Sequence, residues 1–192
     1  IYGLRQRRNP GAIWFSVACL SVFLWSSTCV GEVFAPNVAG KIFWSKVQYL
    51  GIVGFPVFSF FFVGFFTQYL KKFHRFLPAL FAVPLVSLLI VWTNESHHWF
   101  WTNVYIDTAK TILHPVYEYG WYFKVHTLYS YTLVAASLLL LLWGRARSQH
   151  GQHKRFALLL TAYVFPLAGS LGYLLGFISF DPTPIGFAVT SV

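Results

Sequence analysis

The sequence predicts an all-α polytopic membrane helix bundle, with five full transmembrane helices and the start of a sixth. Three observations predict it. Hydrophobic residues make up 57% of the chain and charged residues 10%, whereas a soluble domain carries about 25% charged residues. The apolar residues fall in uncharged runs long enough to cross a bilayer core. The positive charges fall in short clusters between those runs, where topology signals belong. This last point also removes a nucleic-acid reading of the +9 net charge, because no solvated basic face remains to grip phosphates.

The first basic cluster is Arg5, Arg7 and Arg8, closed by Pro10-Gly11. Ala12–Val30 is uncharged, and the first span is placed at 12–34 with Glu32 at its far end. Cys19 and Cys29 both lie on it, about 15 Å apart at helical rise, which is too far to bridge. A short loop with Pro36, Asn37 and Gly40 leads to the second span, Val47–Tyr69 within 44–70, where Pro56 should introduce a kink. Lys71, Lys72, His74 and Arg75 form the second basic cluster. The third span is 76–92, with Pro78 in its first turn and Pro84 expected to bend the half nearer Trp92.

Thr93–Trp121 is the longest connection, and so long a loop should carry structure of its own, either a small hairpin or an interfacial helix. The fourth span is 122–143. It is followed by Arg145, Arg147, Lys154 and Arg155. The fifth, 156–180, holds Pro166, and after Asp181-Pro182-Thr183-Pro184 the next span begins at 185. The chain opens abruptly before its first basic cluster, so it reads as a piece of a longer protein.

Charge sets the expected orientation. The three basic clusters share one side. Lys41, Lys46, Lys110 and Lys124 fall on the other, with every acidic residue: Glu32, Glu95, Asp107, Glu118 and Asp181. The Lys/Arg excess marks the first side as cytoplasmic and leaves the acidic, histidine-rich face extracytoplasmic.

That outer face concentrates the polar chemistry. Trp92–Trp101 reads Trp-Thr-Asn-Glu-Ser-His-His-Trp-Phe-Trp. Indoles favour the membrane–water interface, and imidazoles there can donate, accept or titrate. Asn94, His97, His98 and Trp101 follow the third span. Glu118, Trp121, Tyr122, His126 and Tyr129 stand at the entry to the fourth, and Trp44, Lys46 and Tyr49 enter the second at the same depth. Asp181 closes the fifth connection on this side. Tyr122, His126 and Tyr129 share one helical face by their spacing. A histidine inside a span usually faces the bundle or a wet cavity. Together these residues are the candidate outer ligand pocket; an aromatic belt with satisfied polar tips is the plainer alternative.

Other chemistries find less support. No HExxH is present, and His126 is the clear in-span histidine, whereas haem between helices needs two facing ligands; His114, before a proline, should lie at the surface. No metal or cofactor is expected. Gly169-Ser170-Leu171-Gly172 is not a nucleophile elbow and suits close helix packing. Transport would predict internal repeats and polar groups at the midplane, which are not evident. Asn94-Glu95-Ser96 matches a glycosylation acceptor, a weak motif by itself.

An ordered set of features resembles the N-terminal seven-helix sensor region of bacterial and archaeal histidine kinases. It runs from Pro10-Gly11-Ala12 through Trp25, Lys41-Ile42-Phe43-Trp44, Lys46, Tyr49-Leu50-Gly51 and Pro56. It continues through Pro84, Thr93-Asn94, His97-His98, Phe100-Trp101, Gly120-Trp121, His126 and Tyr129-Ser130-Tyr131, and ends at Pro166 and Asp181-Pro182-Thr183-Pro184 with Phe187. The resemblance implies a helix before Ile1, a seventh helix truncated after Pro184, and a cytoplasmic output module beyond Val192 through which the protein would form a homodimer. It implies residence in the bacterial or archaeal cytoplasmic membrane and a sensory role, with no catalytic site in this region. The stimulus is not specified. The runner-up reading is a membrane transporter or a haem- or metal-binding membrane protein.

Overall fold

The computed structural model describes residues 10–70, 74–106, 115–178 and 181–190. Arg5, Arg7, Arg8, Lys71, Lys72, Asp107, Lys110 and His114 lie outside them.

Helix α1 runs over Pro10–Phe34. Asn37 then caps α2, Val38–Ile52, its side chain accepting from the Gly40 amide at 2.8 Å. This start precedes the expected one because Lys41, which read as a loop charge, is buried and paired. The Lys41 ammonium donates to the carbonyls of Glu32 (2.9 Å) and Val33 (3.3 Å) at the C-terminal end of α1, where a cation is favoured. Helix α3, Gly54–Phe66, continues the span after an interruption at Val53. Pro56 explains the interruption, since it has no N–H to offer the carbonyl of Ile52.

A 3-10 segment, His74–Phe81, precedes α4, Ala82–Trp92. The break expected from Pro84 in the half nearer Trp92 is therefore absent: α4 is continuous there, and the change from 3-10 to α geometry comes before Pro84. Pro84 sits in the first turn of α4, where a missing N–H costs no intrahelical bond. The long connection forms one helical turn, Asn94–His97, and a two-stranded antiparallel hairpin, β1 Trp101–Ile106 with β2 Pro115–Tyr119, pairing Val104 with Tyr117. Helix α5 is Trp121–Arg147 and α6 is His153–Leu174. The fifth span thus ends earlier than expected. Gly176, at φ 78, takes a left-handed cap, and the amides of Gly176 (3.0 Å) and Phe177 (2.9 Å) turn back to the carbonyls of Tyr173 and Gly172. Helix α7 is Thr183–Thr190.

Four helical stretches are long and apolar enough to cross a membrane: Pro10–Phe34, Val38–Phe66, Trp121–Arg147 and His153–Leu174. Within the third expected span, 76–92, the apolar helix Pro78–Trp92 is shorter. The protein is an all-α, multi-pass membrane bundle, and the hairpin is its one sheet among the described residues. Helix α1 packs on α2 and α3, α3 on α5, α6 on α5, and α7 on α6 and α1. Outward side chains such as Leu128 (71% exposed) and Leu158 (72%) have lipid as their natural solvent.

The core is three stacked clusters. Val63, Leu141 and Phe156 lie nearest the Arg145–Arg155 end, and Val57, Phe61 and Leu133 lie in the middle. Tyr49, Val91, Phe100, Trp101 and Tyr122 lie under the hairpin. Every described acidic residue sits at the hairpin end, on the C-terminal end of α1, the Asn94 turn, β2 or the α6–α7 connection.

Candidate functional site

The expected pocket residues separate into two groups. The larger group builds the hairpin end and holds it to the bundle. The Lys46 ammonium reaches both Glu95 carboxylate oxygens, at 2.6 and 2.7 Å, and the carbonyl of Trp92 at 3.1 Å. This hydrogen bond holds the Glu95 carboxyl below the usual carboxylate range. Asn94, 7% exposed, is a two-sided tie. Its Oδ1 accepts from the amides of Phe100 (3.0 Å) and Trp101 (3.1 Å), and its Nδ2 donates to the Trp101 carbonyl (2.9 Å). Buried and engaged at both amide atoms, it is not presented as a glycan acceptor.

His97 is tied locally, to the Thr93 hydroxyl at 3.1 Å and the Trp99 amide at 3.0 Å. His98 takes a left-handed conformation, φ 55, that ends the Asn94 turn, and its side chain is exposed. Trp121 is exposed and packs on Trp99. Glu118 is exposed on β2, and its carbonyl accepts from Thr102. Trp44 covers Gly31 on α1. The shared face of α5 turns toward the segment that ends in α4. Tyr122 and His126 meet Ser87, the latter through Nδ1 at 3.2 Å, and the Tyr129 hydroxyl donates to the carbonyl of Leu80.

The second group, Tyr49, Trp101, His126 and Asp181, lines two adjoining cavities. The outer one, about 350 Å³, lies between the C-terminal end of α1, α2, the hairpin and the start of α7. Glu32, Ser45, Gln48, Tyr117 and Asp181 supply its polar wall. The Glu32 carboxylate accepts from Gln48 Nε2 and from the Tyr117 hydroxyl (3.0 Å), and Tyr117 also meets the Ser45 hydroxyl. Burial beside Glu32 pushes the Tyr117 phenol well above its ordinary range. Asp181 Oδ1 accepts from the Thr183 amide (3.0 Å) and hydroxyl (2.5 Å), closing the turn into α7. Burial pushes its carboxyl up against the opposing effect of those two bonds.

The inner cavity, about 160 Å³, lies deeper, between α2, α3, α5, α6 and α7. Phe55, Phe123, Val134 and Pro166 make it mostly apolar. Its polar points include Asp181 and Thr183 at the outer side, Thr127 and Ser130, His126, the Tyr131–Ser170 hydroxyl pair at 2.7 Å, and the Tyr163 hydroxyl, which lies beside Ser59 and Ser137 without meeting hydrogen-bond geometry. Trp25, Tyr49, Ile52, Tyr119, Tyr173 and Asp181 line both spaces and form the partition between them.

Reading by residue type could not find Glu32, Gln48, Tyr117, Tyr119 or Tyr173, which come from separate elements. The acidic segregation was the one signal pointing at Glu32. Among the described residues no three His, Cys, Asp or Glu side chains are grouped to hold a metal ion.

A family model described as the N-terminal 7TM region of histidine kinase matches residues 1–192. The chain belongs to this family. No curated protein and no solved structure matches it. In this 7TM region the cavities are walled in part by α7, the last helix described.

Proposed function

We propose that this histidine-kinase 7TM region is the sensory input of its protein, and that a stimulus occupying the adjoining cavities biases the position of α7. The observation that carries this is the wall composition: Thr183 and Phe187 face the inner cavity, and Pro184 and Ile185 face the outer one. A ligand there touches the helix that leads toward the output module. Helix α7 packs through Phe187 against Phe55, at 4.7 Å between ring centres, and against Trp25 at 5.8 Å. A ligand shifts the equilibrium only as far as its affinities for the two positions differ. The hairpin end faces outside the cytoplasm in this reading, supported by Arg145, Arg147, Lys154 and Arg155 at the opposite end. The output module, a kinase dimerised in the cytoplasm, receives the shift.

The test uses Gly186, where an added Cβ would meet Pro166 Cα on α6 at 3.0 Å. In the full-length kinase, Gly186→Leu should displace α7 and change unstimulated autophosphorylation several-fold. Gly151→Leu, with nothing within 4 Å, is the matched control and should leave it unchanged. A correctly inserted Gly186→Leu protein with wild-type output would remove the coupling.

A further inference from the structure

The cavity walls carry an electrostatic signature that the rest of the chain lacks. The protein holds 14 Lys and Arg against 5 Asp and Glu. Yet no Lys or Arg lines either cavity, while Glu32 and Asp181 both do. The nearest cation in the hydrogen-bond network is Lys41, which is 3% exposed and committed to the main-chain carbonyls of Glu32 and Val33 behind the wall. Among the described residues, the one ion pair is Lys46 with Glu95, so neither cavity carboxylate has a cationic partner. Both are held by neutral donors instead: Gln48 and Tyr117 on Glu32, and Thr183 on Asp181. Two half-buried carboxylates that share a cavity wall and have no cation paired to them favour a positive charge placed between them.

The remaining wall says what kind of charge fits. Trp25, Tyr49, Trp101, Tyr117, Tyr119 and Tyr173 surround the outer cavity. Aromatic faces attract cations that shed their water readily, and substituted ammonium ions are the usual case. A small hydrated metal ion would instead need a cluster of oxygen or imidazole ligands. The volume of about 350 Å³ falls in the range of small-molecule sites. The adjoining inner cavity is apolar except at its few polar points. One of these is His126, 5% exposed, whose second ring nitrogen has no hydrogen-bond partner although the ring lines the space.

We infer that the paired cavities bind an organic ammonium ion carrying an apolar group. The cationic head sits among the outer aromatic residues against Glu32 and Asp181, and the apolar group reaches past Tyr119 and Tyr173 into the inner space. The inference rests on the sensory reading above and names its ligand class.

The probes are benzyltrimethylammonium and neopentylbenzene, its uncharged isostere, titrated by calorimetry into the full-length protein in nanodiscs, with protein-free nanodiscs as the partition control. The cation should bind about tenfold or more tightly than the isostere. Glu32→Gln with Asp181→Asn should remove that preference while leaving the isostere unchanged, since Asp181→Asn keeps the oxygen that accepts from Thr183 and Glu32→Gln keeps one of its two acceptors. Should the double variant fail to fold, Asp181→Asn alone should narrow the preference. Equal affinity for the two probes, no saturable cation binding, or an undiminished preference in the variants would overturn the inference. None of those results touches the sensory reading, whose Gly186→Leu test requires no ligand.

Discussion

The hydroxyls of Tyr119 and Tyr173 meet at 3.1 Å, joining the last residue of the hairpin to the last turn of α6. Both rings line both cavities, so this contact lies in the partition between them. It is also where the outer structure touches the helix that packs on α7. Tyr119→Phe and Tyr173→Phe should each lower unfolding free energy by about 1 kcal/mol, and the double variant by little more than one of them. Denaturant titration of the four proteins checks it. Strictly additive losses would show that the hydroxyls do not interact.

Asn94 carries the geometry of the same end. Asn94→Ala leaves two main-chain amides and one carbonyl without partners in a site that is 7% exposed. The expected loss is about 2–4 kcal/mol. Asn94→Asp keeps the acceptor and should lose less. Thermal unfolding monitored by tryptophan fluorescence distinguishes the two, and equal losses would mean that the Oδ1 contacts contribute nothing.

Two carboxyl groups should move stability in opposite directions with pH. The Glu95 carboxyl is lowered by its bond from Lys46. Its contribution is therefore present above the unfolded value and lost as pH falls through the folded one, and it is small because the side chain is 67% exposed. The Asp181 carboxyl is raised by burial. Its contribution is present below the unfolded value and lost as pH rises through the folded one. Asp181→Asn, which can keep the Thr183 contacts, should therefore melt above wild type at neutral pH and approach it near pH ~4. A variant that melts lower at neutral pH would show that the charge itself is needed for the fold.

His126 tests the inner cavity. Glutamine can keep the bond to Ser87 but cannot titrate, so His126→Gln should retain stability to within about 1 kcal/mol. Its kinase response to stimulus should fall, because the second ring nitrogen belongs to the cavity wall. Wild-type stability, response and pH dependence together would remove His126 from the site.

Much of the bundle was legible in the residue order, because membrane insertion is decided locally. An uncharged run must be helical in lipid to satisfy its own main chain, and a neighbouring helix is not needed to say so. The runs at 12–34 and 122–143 announced themselves this way, and the family match spans the chain whose motifs resembled it. Local rules erred where local charge misled. Lys41 read as loop, but the carbonyls of α1 draw it into α2. The fifth span ran long because Gly176 looks like any membrane glycine until its left-handed cap is seen.

The cavities were a matter for tertiary structure alone. Spacing correctly put Tyr122, His126 and Tyr129 on one face, yet helix pitch does not say what that face meets, and much of it meets the Leu80–Ser87 segment. Asn94, His97 and Lys46 had the right chemistry and the right depth, but their atoms are engaged by neighbours. Glu32, Gln48, Tyr117, Tyr119 and Tyr173 become one wall only when α1, α2, the hairpin and α6 converge. Composition and periodicity are properties of neighbours in sequence and set which segments cross the membrane. A cavity is the space left between elements, and its walls depend on the packing angles and caps that bring distant side chains together.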